Sequence, residues 1–287
     1  MPTNDSATLD TNGLGPIPEA IPLEASLRGK VYAISGGSSG MGRSTALALV
    51  TFGAYVSICG RDTERLAQVE AELASASPHG AAGAMSYQLN IADEAQVEAW
   101  IQATVDKFAG PDGRKKLDGA VNAASLEAPE AVPITEMRAS TWQTVLDANL
   151  TGVFYSMRAE LRRMEAGATI VNVGSILGIV GLECYAPYTA AKHGVLGLTR
   201  AAAKEWGPKG IRINATGPGH TATLMYDRAM ERIKEGGVTE MPNVAADTIQ
   251  GRVAEAHEQA KPILFLLSDY SSYISGQNLP VDGGWVV

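Results

Sequence analysis

Tyr188 and Lys192 stand four residues apart in Tyr188-Thr189-Ala190-Ala191-Lys192. On a helix, that spacing puts both side chains on one face, a turn apart. An ammonium beside a phenol favours the phenolate. A phenol that ionises more easily is a candidate to give or take a proton near neutral pH. Tyr and Lys are common residues, and alone the pair also reads as one turn of an ordinary amphipathic helix. The rest of the chain has to decide between these readings.

The elements before the pair supply the first context. Val31 to Ser35 reads as a buried strand running into Gly36-Gly37-Ser38-Ser39-Gly40-Met41-Gly42, and Arg43 to Val50 has helical composition. Strand, glycine turn, helix is the layout that sets a helix N-terminus against a phosphate. Glycines there allow close backbone approach and positive φ. The spacing is G-x-x-x-G-x-G, with Thr45 where the third glycine of G-x-G-x-x-G would stand. Gly37 to Ser44 also matches a P-loop, except that Arg43 replaces its lysine. Arginine is not an equivalent substitute, and no strand ending in a magnesium-binding Asp completes such a site.

A second strand, Tyr55 to Cys59, ends at Gly60-Arg61-Asp62. In a dinucleotide fold, a carboxylate at this strand end holds the ribose diol of NAD, and an arginine accommodates the 2′-phosphate of NADP. Gly60 in the carboxylate's place with Arg61 after it favours NADP, while nearby Asp62 keeps NAD open. Thr63 to Ser75 reads as a helix, Met85 to Leu89 as a strand and Ala95 to Phe108 as a helix. Leu117 to Ala124 contains a fourth strand, and Trp142 to Met164 belongs to a long helical region carrying Asn149 among apolar neighbours. Thr169 to Val173 is a fifth strand ending at Gly174-Ser175, Ala186 to Trp206 a helix, and Ile211 to Ala215 a sixth strand. Residues 224–250 read as irregular, a place for a substrate lid. Ala254 to Leu267 is a final helix and Gly276 to Val281 a last strand. Residues 1–27, with four prolines and little periodicity, read as a flexible or surface-packed arm. The alternation over 28–287 implies one α/β domain, a doubly wound parallel sheet with helices on both faces.

Composition narrows the function. A net charge of −8 argues against non-specific binding to nucleic acid or an anionic membrane. Two cysteines, Cys59 and Cys184, make no disulfide framework, so a reducing compartment is expected. The first ten residues do not read as a signal peptide, and the apolar stretch 166–182 is interrupted by Asn172, Ser175 and glycines. A cytoplasmic protein without a metal site is the expectation.

Taken together, these residues resemble the short-chain dehydrogenase/reductase family over roughly residues 27–287. Ser35 to Gly42 looks like its glycine-rich cofactor turn, with Ser35 for the usual Thr. Asn149 stands in Asn-Leu-Thr-Gly, Ser175 precedes Tyr188 by the family spacing, and Tyr188 to Lys192 is its Y-x-x-x-K. Pro218-Gly219 with Thr221 and Thr223, and Asp282-Gly283-Gly284, match its later segments. Three departures are visible: Asn122-Ala123-Ala124-Ser125 for N-N-A-G, Asn90 for an adenine-contacting Asp, and Ala256 for a Pro at the start of the final helix.

The resemblance implies a Rossmann-type domain and a catalytic set of Asn149, Ser175, Tyr188 and Lys192. Ser175 would steady the substrate oxygen and Tyr188 would transfer the proton. Lys192 would hold the nicotinamide ribose and lower the Tyr188 pKa, and Asn149 would hold a water. Cofactor contacts are expected at Gly36, Ser38, Gly40, Met41, Gly42, Arg61, Asn90, Ile91, Asn122, Tyr188, Lys192, Pro218, Gly219, Thr221 and Thr223. Leu177, Leu182, Glu183, Cys184, Tyr185 and His220, with a lid around 220–250, are expected to line a pocket for a mid-sized, partly hydrophobic ketone or alcohol. The reading is an oxidoreductase using NADP in preference to NAD, a ketoreductase of secondary metabolism by analogy, and a homodimer or homotetramer. The competing readings are an NAD-dependent alcohol dehydrogenase, a non-redox step on the same fold, and a non-catalytic cofactor-binding scaffold or sensor.

Overall fold

The computed structural model describes residues 22–109, 113, 115–235 and 248–286. The chain alternates helix and strand: α1 (Leu23–Leu27), β1 (Val31–Ser35), α2 (Gly40–Thr51), β2 (Tyr55–Gly60), α3 (Thr63–Ala76), β3 (Ala84–Gln88), α4 (Glu94–Lys107) and β4 (Leu117–Asn122). It continues with α5 (Ala139–Leu146), a π-helical turn (Asp147–Thr151), α6 (Gly152–Leu161), β5 (Met164–Val173), α7 (Ala186–Trp206) and β6 (Arg212–Pro218). The last elements are β7 (Thr221–Ala222), α8 (Leu224–Glu235), β8 (Ala254–Glu255), α9 (Ala256–Leu267) and β9 (Asn278–Val281).

Seven strands form one sheet in the order β3-β2-β1-β4-β5-β6-β9, and every pairing in it is parallel. All five residues of β1 are buried, as a central strand covered on both faces requires. One face is covered by α2, α3 and α9 through residues such as Leu49, Leu66 and Ile263. The other is covered by α4, α6 and α7 through Trp100, Val153 and Val195. This is the expected doubly wound sheet. The chain runs outward from β1 to β3, then returns to place β4 on the other side of β1. That reversal opens a crevice outside the carboxyl ends of β1 and β4.

Several boundaries differ from the pattern reading. The arm assigned to 1–27 ends in α1, whose Leu27 is fully buried against the α2–α9 face; the rest of that assignment, 1–21, lies outside the described residues. The long helix over 142–164 is interrupted at Asp147–Thr151 and stops at Leu161, and Met164 already begins β5. The first half of β5 escaped notice because Glu165, Ala166 and Gly167 are exposed and carry no apolar alternation. The stretch beginning at 224, expected to be irregular, is the helix α8 as far as Glu235. Its start signal was Thr223, whose hydroxyl accepts from the Tyr226 N–H at 3.3 Å. Residues 236–247 of that stretch lie outside the described residues. Residues 254–255 are a strand paired with β7, so the final helix starts at Ala256 behind a Glu255–Glu258 capping box.

Among the described residues, no helix is long and apolar enough to cross a membrane, and no cluster of His, Cys, Asp or Glu is placed to hold a metal. Both cysteines are free thiols.

Among the described residues, one carboxyl group is fully buried. Glu160 on α6 is fully buried and accepts from Asn122 Nδ2 at 3.1 Å. Burial pushes its carboxyl up to about 8. The acid is neutral when folded and ionises more easily when unfolded. Its stabilising effect is therefore complete below the ordinary carboxyl range and is lost as pH rises towards about 8. Glu160→Gln should unfold at a temperature near wild type at about pH 5 and above wild type at about pH 9 in thermal melts. Parallel melting curves at the two values would contradict this.

Candidate active site

The cleft at the carboxyl ends of the strands is walled by the residues that follow them: Gly36 after β1, Gly60 at the end of β2, Asn90 and Ile91 after β3, Ala123 to Glu127 after β4, and Val173 and Gly174 at the end of β5. Its first end is the glycine turn. Gly36 has φ +69°, and a side-chain carbon there would come within 2.7 Å of the Ala124 backbone nitrogen. A side-chain carbon at Gly42 would meet the Gly36 carbonyl oxygen at 2.5 Å. Only glycine at both points lets the turn close onto the end of β4 and seat α2 against it. Ser35 tightens the same junction: its carbonyl accepts from the Ala123 N–H at 3.2 Å and its hydroxyl from the Ala124 N–H at 3.2 Å.

The other end holds the acid–base residues. Tyr188 and Lys192 lie in the first turns of α7 and both wall the cleft. The Tyr188 hydroxyl lies near the hydroxyls of Ser175 and Ser125, and both favour its ionised form. Ser175 is held in place because its oxygen accepts from the Leu177 N–H at 3.1 Å. Lys192 is 1% exposed, its Nζ lies 5.5 Å from the Tyr188 ring centre and donates to the Val173 carbonyl at 2.9 Å.

The electrostatics differ from expectation. Burial, the largest influence, raises the Tyr188 hydroxyl above the usual phenol range. The two serine hydroxyls oppose this, and the negative charge of Glu127 adds to it. Lys192 does not bring Tyr188 down in this state, because its ammonium turns to Val173. Burial instead pulls Lys192 down to about 8. The free protein thus holds Tyr188 as the protonated phenol beside a buried cation.

Asn149 sits in the π-helical turn and is fully buried. Its Nδ2 donates to the Leu126 carbonyl at 2.6 Å, and its Oδ1 accepts from the Leu126 N–H at 2.7 Å and from Ser125 Oγ at 3.1 Å. The side chain is committed to bracing the 125–126 segment, so a water would have to be held by another of its atoms.

The expected cofactor residues divide. Gly36, Ser38, Gly40, Met41, Gly42, Arg61, Asn90, Ile91 and Thr223 wall the cleft with Tyr188 and Lys192. Asn122 does not: it is buried, and its Nδ2 donates to Glu160 and to Asn172 Oδ1 at 3.0 Å, bracing β4 to β5. Pro218, Gly219 and Thr221 also stand back from the wall. Pro218 pairs with Val281, the Gly219 N–H donates to the Val281 carbonyl at 3.1 Å, and Thr221 Oγ1 donates to the Gly219 carbonyl at 3.1 Å, closing a turn.

Of the expected substrate residues, Leu177 is buried behind Ser175 and Glu183 is exposed, as is Leu182. Cys184 is a non-glycine residue at φ 64° in the loop before α7. Tyr185 donates to Glu127 Oε1 at 3.3 Å, reaching the cleft through that carboxylate. His220 stacks on Trp285 with ring centres 4.3 Å apart and belongs to a separate hollow with Arg252 and Glu258. Sequence reasoning missed Ser125, Glu127, Arg65, Met225 and Arg228 in the wall. Ser125 had left a signal as the hydroxyl replacing a family glycine, but its nearness to Tyr188 depends on how the loop after β4 folds back.

A family model described as enoyl-(acyl carrier protein) reductase matches residues 36–286. The chain is 40% identical over 262 residues to the short-chain dehydrogenase/reductase aba4 of Botryotinia fuckeliana, covering 89% of this chain and 96% of that one. It is 37% identical to the 2,5-dichloro-2,5-cyclohexadiene-1,4-diol dehydrogenase of Sphingobium indicum, covering 90% and 98%. The crystal structure of levodione reductase superposes with a TM-score of 0.81 at 35% identity, covering 89% of this chain and 97% of that one. The chain thus belongs to the short-chain dehydrogenase/reductase family and is an oxidoreductase of that type. The family binds NAD(P), and the cleft suits a dinucleotide: the glycine turn lies at one end and Tyr188 with Lys192 at the other.

Lys192 is buried, and among the described residues no carboxylate forms an ion pair with it, so its charge costs stability in the free protein. Its folded pKa lies below the unfolded value. The cost is full below about 8 and fades as pH rises to the ordinary lysine range. Lys192→Met should therefore melt above cofactor-free wild type near neutral pH, with the gap shrinking at about pH 10, and should lose activity. A variant less stable than wild type at neutral pH would refute the buried-charge account.

Proposed function

We propose that the protein is an NADP-preferring carbonyl reductase, also able to run as a secondary-alcohol dehydrogenase, on a mid-sized ring ketone or its alcohol. The observation that carries the reaction class is the Tyr188 hydroxyl, near Ser175 and beside buried Lys192, in a cleft that also holds the glycine turn. When bound, the nicotinamide supplies the hydride or accepts it. A substrate oxygen placed between Tyr188 and Ser175 receives the tyrosine proton as the alcohol forms, while Ser175 donates a hydrogen bond to the charge that develops there. The Lys192 ammonium then stabilises the phenolate left behind. Asn149 keeps the 125–126 segment, and with it Ser125, in register with Tyr188.

The cofactor preference rests on Arg61 and Asp62. Arg61 walls the adenosine end of the cleft. Asp62, the carboxylate an NAD ribose would need, caps α3 instead. It accepts from the Arg65 N–H at 3.0 Å and pairs with the Arg65 guanidinium at 2.6 Å. That leaves Arg61 at the place of a 2′-phosphate and a carboxylate already paired with Arg65. The ring-substrate reading draws on the cyclohexadiene-diol named for one relative. The lid assignment is carried by α8, whose Leu224, Met225 and Arg228 wall the cleft. Exposed Trp142 on α5 and Phe154 on α6 support pairing of two copies through those helices.

Titration with NADPH and with NADH, followed by thermal shift, tests the reading. NADPH should give the larger stabilisation. Arg61→Ala should weaken NADPH binding by about tenfold or more, the worth of one charge-assisted contact, and leave NADH within about threefold. Tyr188→Phe should bind cofactor and turn over no ketone. Equal loss for both cofactors in Arg61→Ala would dismiss Arg61 as the phosphate reader, and turnover by Tyr188→Phe would dismiss the mechanism.

A further inference from the structure

Among the described residues, three arginines wall the cleft: Arg61, Arg65 and Arg228. Arg65 is committed to Asp62, with a guanidinium nitrogen 2.6 Å from the carboxylate. Arg228 is different. It stands on α8, on the far side of the cleft from α3, and it is exposed. No carboxylate among the described residues pairs with it. A guanidinium that borders a cleft without a protein partner keeps its five donors for a ligand anion.

The start of α8 is tied to the start of α2. A side-chain carbon at Gly40, the first residue of α2, would lie 3.1 Å from Thr223 Cγ2. Thr223 also starts α8, because its hydroxyl accepts from the Tyr226 N–H at 3.3 Å. The two helices therefore begin side by side at the glycine turn. Ser39, before α2, makes no capping bond with its side chain, so the first amides of α2 stay available to a ligand. An anion there also gains from the helix dipole. Leu224, Met225 and Arg228 all wall the cleft, which places that face of α8 towards it. Arg228 is one turn beyond Leu224, roughly 6 Å along the helix. A dinucleotide that runs from Arg61 to Lys192 lays its pyrophosphate at the glycine turn between these ends.

We infer that Arg228 binds the pyrophosphate of the dinucleotide from the side opposite the amino end of α2, so that the cofactor itself holds α8 against the cleft. This rests on the reading of the cleft as the dinucleotide site. The pyrophosphate charge is then met from two helices, by amides of α2 and by the guanidinium of α8. Arg228 and Arg61 have separate duties. The pyrophosphate is common to NADH and NADPH, whereas the 2′-phosphate belongs to NADPH alone. Leu224 and Met225 share the Arg228 face, so the same contact holds these two apolar side chains in the cleft wall.

The test titrates wild type, Arg228→Ala, Arg228→Lys and Arg61→Ala with NADPH, NADH and ADP-ribose by calorimetry. The melting temperature of each free protein is the folding control, and an exposed Arg228 predicts no change there. Arg228→Ala should weaken all three ligands by about fivefold or more, the worth of one partly exposed charge-assisted contact. That loss should shrink in about 1 M salt, where charges are screened beyond about 3 Å. Arg228→Lys should recover part of it, and Arg61→Ala should weaken NADPH alone. In hydrogen exchange, NADH should slow the amides of α8 in wild type and leave them unchanged in Arg228→Ala. A purely structural role would move the melting temperature and spare the contrast with Arg61→Ala. A loss confined to NADPH would make Arg228 a second reader of the 2′-phosphate and overturn the inference. Unchanged affinity for all three, with a raised KM for an acidic ketone alone, would give Arg228 to the substrate and overturn it too. Unchanged affinity with unchanged KM would leave Arg228 no ligand, again overturning it while the dinucleotide reading stands. If wild type binds none of the three, that reading fails with it.

Discussion

The approach of the first turn to the end of β4 is the constraint on which the working end depends. Gly36 and Ala124 are so close that no side-chain carbon fits between them, and Ser35 ties the same junction from below. This contact fixes where the chain leaves β4. Leaving there, the chain passes Ser125 to Tyr188 and Asn149, and Glu127 to Tyr185. The crevice exists because the sheet reverses its winding between β1 and β4; its chemistry exists because the segment after β4 is pulled into it.

The active end is a balance of opposed charges in a dry place. Lys192 is buried with its pKa pulled down, Tyr188 is half-buried and held protonated, and Glu127 presses the same way as desolvation. Two serine hydroxyls work against that pressure. None of these groups is at rest in the free protein in the sense that a core leucine is. Stability is given up locally so that a proton and a charge can move when ligands arrive. The rigid frame that tolerates this is ordinary: two apolar layers, one on each face of a parallel sheet.

Much of this was legible from the sequence. The central strand Val31–Ser35 and the helix Ala186–Trp206 can be read to the residue, because one is an unbroken apolar run and the other a long periodic one. Tyr188, Lys192, Ser175 and the glycine turn were legible from spacing and from the family likeness. The helix α8 was missed because its pattern is mostly polar, and the interruption at Asp147–Thr151 because a π-helical turn carries no residue signature of its own.

The division has a physical reason. Local pattern determined what the chain decides over one or two turns: strand or helix, a turn only glycine can make, a Tyr and a Lys on one helical face. Tertiary structure alone decided which polar residues meet across long separations in sequence. It sent Asn122 inward to Glu160 and Asn172, set Asp62 against Arg65, and brought Ser125 and Glu127 to the helix that carries Tyr188. It also reversed the expected electrostatics, since burial, which no sequence spacing encodes, raises Tyr188 more than its two serine neighbours lower it.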